Sequence, residues 1–197
     1  MTLTDKDKVL IRLSTAVVVG NWDEVKALRL GAEPDREWRE TVLQTHLFAG
    51  FPRLVQAFGV LDGVGGLGQP GADELEDGAL QQARGKELFD TIYGDGAGTV
   101  RDMLHGYHAD FGAWIAEHAY SRVLARPGVT ADRRELQAAC ALAALGQERQ
   151  LASHARGSLR CGASFEELMQ ALETAGDLMQ NERLERAKRI AERFREQ

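Results

Sequence analysis

Cysteine is nearly absent from this chain. Cys140 and Cys161 are the only two, and they stand in separate predicted helices rather than as a spaced pair. That excludes a disulfide framework, a cysteine zinc site and a CxxC redox pair, and both thiols read as small buried hydrophobes. Long apolar runs are also missing. No stretch approaches the roughly eighteen residues of a membrane span, and the opening MTLTDKDK has no signal-peptide core. A soluble cytoplasmic protein with no membrane partner is expected. Basic charge is in deficit: the net charge is −6 and the pI about 5.4, so no nucleic-acid partner is expected. Strand-like alternation is absent too, and the valine run Val17–Val19 is the tail of a helix-period segment. The fold class that follows is all-α.

What the sequence does hold is helices punctuated by glycine. With 44% apolar residues in 197, there is enough material for a buried core. Thr4 is placed to cap a first helix to Val19, and Asn21 with Glu24 a second that stops at Gly31. A helix from Asp35 to Ala49 is expected to stop at Gly50, with Pro52 in the first turn of the next, through Val60. Residues 62–73, DGVGGLGQPGAD, hold five glycines and a proline, which reads as a flexible linker or loop. Helices over 74–93, from Thr99, from His108 to Ala125, from Phe165 to Met179 and from Glu182 onward complete the pattern, with Ser164 and Glu167 as a capping box. The expected organisation is a partial helical repeat over 1–61, the linker 62–73, and a larger helical unit over 74–197, packed as one compact domain. The repeat is read from glycine spacing: helix, Gly20, helix, Gly31-Ala32 in one half, and helix, Gly146, helix, Gly162-Ala163 in the other.

Between Asp110 and Ser164 lies the densest set of chemically capable side chains. Asp132 is placed to cap a helix, with Glu135 as the second half of a capping box. Gly146 ends that helix, and another runs from Gln147 to the residue before Gly162. Gln147, Gln150, His154 and Ser158 share one face of it. Glu135 precedes the turn by eleven residues and His154 follows it by eight, which is about 16 Å and about 12 Å along two helices. An antiparallel fold-back would bring carboxylate and imidazole to similar heights.

Residues 85–180, through the blocks GKELFDTIYGD, HADFGAWIAEHAYSRVLARPGV, RRELQAACALAALGQERQLASHARGSLRCGAS and FEELMQALETA, resemble the carboxymuconolactone decarboxylase family, within the alkylhydroperoxidase D-like superfamily. Residues 31–57 resemble the C-terminal helices of the same family, with Glu40, Gln44, Gly50, Phe51 and Pro52 in its Glu-x3-Gln-x5-Gly-Phe-Pro element. The resemblance implies an alkylhydroperoxidase D-like helical fold, an assembly into homotrimers or hexamers, and a site in which Gln44 from the first part completes the second. In the peroxidase-like branch a glutamate, a CxxC pair and a histidine form a proton relay. Here Glu135 and His154 hold the acid and histidine positions, and Gln147 and Gln150 replace the cysteines. An amide is no thiolate nucleophile, so thiol peroxidase chemistry is disfavoured.

The decarboxylase branch implies cofactor-free loss of CO2 from a small cyclic carboxylic acid or lactone, with no metal and no organic cofactor. His154 is then the general acid, Glu135 its orienting carboxylate and His118 a second acid. Arg126 or Arg134 would clamp the substrate carboxylate, and Gln150, Gln147, Tyr120 or Gln44 would contact the rest. Plainer roles stay open for each: Glu135 as a cap, His154 as a solvated helix residue, His118 and Tyr120 near a helix end, Arg126 on helix carbonyls. Three functions therefore stand beside one another: a decarboxylase-like enzyme, a thiol-free binder of small acids, and an oligomeric interaction protein.

Overall fold

The computed structural model describes residues 2–74 and 78–196, and these contain helices and turns but no strand. The first helices begin where their caps require. α1 (Asp5–Val19) has a full capping box between Thr4 and Asp7, and Asn21 accepts from the Glu24 amide at the start of α2 (Trp22–Leu30). Asp35 caps α3 (Arg36–Gln44). That helix ends before the expected Gly50. The Thr45 hydroxyl and amide both bond the Val42 carbonyl, tightening the last turn, and α4 (His46–Asp62) restarts at once. Gly50 is still a break, non-helical at φ 79° inside α4, with Pro52 just beyond it.

The glycine-rich segment is not a free linker. Arg29 donates to the Gly66 carbonyl at 2.6 Å and Arg39 to the Leu67 carbonyl at 2.8 Å, and Leu67 is buried in one core cluster with Trp38 and Leu61. Two anchored carbonyls make an ordered wall out of a sequence that composition alone reads as loose. The helix expected over 74–93 is present as α5 (Gly78–Tyr93); residues 75–77 lie outside the described residues.

α6 (Ala97–Tyr107) and α7 (Ala109–Trp114) lead into a ten-residue π helix, Ile115–Leu124, where an α-helix is expected. The Ser121 hydroxyl donates to the Ala116 carbonyl five residues back, which supports the wider turn. α8 (Ala131–Leu145) forms the centre, buried without interruption from Arg134 to Ala144. Its N-cap is Thr130 in extended conformation, not Asp132, which lies inside the first turn. α9 (Glu148–Arg160) folds back against α8, α1 packs along it, and α10 (Phe165–Thr174) and α11 (Asn181–Glu192) close the other side. α1 and α8 are each 15 residues long and end in left-handed glycines, Gly20 at φ 76° and Gly146 at φ 73°. α2 has 9 residues where α9 has 13, one turn fewer.

Candidate functional site

The α8–Gly146–α9 hairpin brings Glu135 and His154 together. A glycine in left-handed conformation turns the chain sharply, so two helices run antiparallel from a common point and residues at similar distances from the turn meet. The Glu135 carboxylate lies 2.9 Å from His154 Nδ1. Glu135 is 1% exposed, whereas the His154 side chain keeps 15% of its surface. Space for the carboxylate comes from Gly157, one turn past His154: a Cβ there would sit 2.5 Å from Glu135 Oε2 and 3.2 Å from Ile92. Phe48, from α4, stands edge-on to the His154 ring at 5.9 Å and covers it.

The electrostatics of the pair are lopsided. Burial opposes a charged imidazole, but the attraction and hydrogen bond of Glu135 outweigh it and hold the His154 pKa above its ordinary value near 6.5. Glu135 Oε2 is occupied by the ring, while buried Oε1 has no hydrogen-bond partner. A buried carboxylate with one idle oxygen is expensive for a structural role, and it leaves a position for a proton or a polar ligand atom. Nearby, Tyr120 and Tyr93 share a hydroxyl–hydroxyl bond of 3.0 Å, and burial, with Tyr93 and Glu135 adding to it, holds the Tyr120 phenol well above its usual range.

The second histidine candidate is paired elsewhere. His118, on the π helix, meets His46 of α4 through their Nε2 atoms at 2.7 Å. His46 Nδ1 faces the Leu43 carbonyl, an obligate acceptor, so that nitrogen carries the hydrogen and His46 Nε2 accepts from His118. Burial, with the electrostatic influence of His46 and Arg122 adding to it, lowers the His118 pKa. Phe51 stacks on His46 at 4.9 Å. These rings form a separate contact between α4 and the π helix.

Arg126 and Arg134 point at an internal carboxylate. Arg126 bonds both oxygens of Glu40 at 2.8 to 3.1 Å, and Arg134 donates to Glu40 Oε2 at 2.8 Å. Glu40 is 0% exposed and Arg134 1%. Arg134 also reaches Gln44 Oε1 at 3.2 Å, and Gln44 donates to Gln137 at 2.6 Å. Gln44 does join α3 to α8, but through Arg134 and Gln137, next to Glu135 rather than upon it. A substrate clamp needs cations open to the ligand; Arg134 is enclosed, so it and Gln44 serve as scaffold, and Arg126 ties the Arg-Pro-Gly turn to α3.

Gln147, the N-cap of α9, and Gln150 in its first turn are exposed, with His154 half-buried one turn on, so the shared face runs from solvent toward the interior. Burial pushes both thiols up, Cys161 to about 12 with Glu135 and Asp132 adding to it, and neither is a thiolate at neutral pH. Phe48, Tyr93, Gly157 and Arg156 escape sequence reasoning. Gly157 alone leaves a signal, an interior helix glycine three positions after a candidate histidine. Arg156 lies two residues past His154, acts electrostatically on Tyr93, and its buried Nε is without a partner.

Among the described residues no group of three or more histidine, cysteine, aspartate or glutamate side chains is placed to hold a metal, and no helix is long and apolar enough to cross a membrane. Scanned against protein-family models and searched against curated proteins, the chain finds no match in either.

Proposed function

We propose that the protein is a carboxymuconolactone decarboxylase-like enzyme that removes CO2 from a small cyclic or lactone carboxylic acid without a cofactor. One observation carries this: the Glu135–His154 contact, in which a buried carboxylate with an idle oxygen keeps an imidazole charged above its ordinary pKa. In the protonated ring, Nδ1–H donates to Glu135 and Nε2–H is the hydrogen available to a substrate. When the bond to the carboxylate carbon breaks, CO2 leaves and its electron pair delocalises into the conjugated ring. His154 Nε2 then transfers its proton to carbon and returns to the neutral tautomer, still bonded to Glu135; water restores the proton.

Departure of CO2 is helped by a cation that holds the carboxylate only until the bond is broken. Arg156 takes this role in place of Arg126 and Arg134, because its charge acts on Tyr93, as that of Glu135 does, and it makes no ion pair among the described residues. Peroxide reduction by thiols is disfavoured, since amides occupy the positions where the chemistry needs a thiolate nucleophile.

The test is CO2 release from a panel of lactone acids in deuterated water. Turnover with deuterium on a ring carbon of the product, abolished in His154→Ala while helicity is kept, is the expected result; unchanged turnover in that variant removes His154 from the mechanism. A second reading, a non-catalytic homo-oligomer of the same fold that binds small acids, is favoured by Phe51, Val55 and Phe58, exposed along one side of α4. Light scattering that gives a trimer or hexamer, with acid binding but no CO2, would select it.

A further inference from the structure

A cavity of about 290 Å³ lies between α5, α6 and the π helix, and neither Glu135 nor His154 lines it. We propose that it is a binding site for a single planar ring carrying one carboxylate, separate from the Glu135–His154 pair.

The floor is aromatic. Phe89 and Tyr120, each 4% exposed, meet edge to face at 4.7 Å. The Tyr120 hydroxyl is bonded to Tyr93, so the cavity meets the ring of Tyr120 while its polar tip is already satisfied. A flat π surface is the partner that offset-stacked and edge-to-face geometries require. The mouth is cationic. Arg101 lies over the Phe89 ring at 4.8 Å, and Lys86 and His105 line the same cavity. Arg101 and Lys86 share one carboxylate, Asp90, which leaves one positive charge in that trio without a counter-ion. The wall's acidic group, Glu117, stands in solvent on the π helix. A ligand anion is thus directed to the Arg101 side, with its ring inward. The volume sits at the lower edge of ligand cavities, which begin at about 300 Å³, and so admits one ring rather than two.

The backbone around the cavity fits a built site. Gly85 of α5 lies so close to the π helix that a Cβ would stand 2.6 Å from the Ser121 Cα. The π helix, an uncommon form frequent at functional sites, supplies Ile115, Ala116, Glu117, Tyr120 and Ser121 to one wall.

Benzoate is the probe, titrated calorimetrically, with benzamide as the neutral isostere and cyclohexanecarboxylate as the non-planar one. Saturable benzoate binding is expected, about tenfold weaker for benzamide and for Arg101→Gln, since a charge-assisted pair is lost in each. Cyclohexanecarboxylate should also bind more weakly. Ala116→Phe, at an exposed position in the wall, should fill the cavity and abolish binding, while His154→Ala leaves it unchanged. Melting curves confirm that each variant folds, and the two substitutions on different elements guard against loss of one. The proposal is overturned if benzoate does not saturate, if benzamide binds equally, if folded Arg101→Gln and Ala116→Phe retain wild-type affinity, or if His154→Ala is the variant that loses binding.

Discussion

Two buried glutamates, Glu40 on α3 and Glu135 on α8, show how the same side chain is closed in one place and left open in another. Glu40 is 0% exposed and bonded by two guanidinium groups, Arg126 across both oxygens and Arg134 on one. Glu135 is 1% exposed, has a single titratable imidazole on Oε2, and nothing on Oε1. Permanent cations with fixed fork geometry hold a carboxylate for architecture. An imidazole and an empty oxygen leave one open to the proton exchange that the proposed reaction requires.

The largest expected effect breaks the closed member. Glu40→Ala leaves the enclosed Arg134 without its counter-charge and should destabilise the fold by about 3 to 5 kcal/mol in denaturant unfolding. Replacing Glu40 and Arg134 together by apolar residues should recover much of that loss. A smaller loss, about 1 to 3 kcal/mol, is expected for Gly157→Ala, because the new methyl must displace the Glu135 carboxylate or Ile92. That variant should also separate carboxylate from ring and slow turnover, whereas Glu40→Ala acts through folding. Glu135→Gln should cost less stability than either and still remove most activity.

The smallest effects are the pH terms, and they have opposite signs. His154 has a raised pKa in the folded chain, so its contribution to stability is complete below 6.5 and is lost as pH rises through the folded value. His118 has a lowered pKa, so the folded chain resists its protonation, and stability falls as pH drops from 6.5 through the folded value. Melting temperature against pH should lose its high-pH decline in Glu135→Gln and part of its acid decline in His118→Gln.

Much of this was legible in local sequence. Caps at Thr4, Asn21 and Ser164 start helices where expected, and the spacing of Glu135 and His154 about Gly146 anticipates their meeting. Legibility ends where a partner is distant. Glu40 is 86 residues from Arg126 and 94 from Arg134, so nothing local marks either arginine as structural. Glu135 could be read as a cap because its spacing from Asp132 fits, but its carboxylate turns inward to His154 and Thr130 takes the cap position. The π helix is invisible too, since 115–124 has an ordinary helical composition and its register depends on packing against α5 at Gly85. Composition marks 62–73 as a loop but cannot show that it is anchored, because the arginines that hold it lie some 28 to 37 residues earlier.

The most direct measurement is the NMR titration of the His154 imidazole in the wild-type chain and in Glu135→Gln. A midpoint above 6.5 in the wild type is expected, falling below 6.5 once the carboxylate is gone and only burial acts on the ring. A wild-type midpoint at or below 6.5, or one that Glu135→Gln leaves in place, would contradict the assignment of this pair as a proton-holding site.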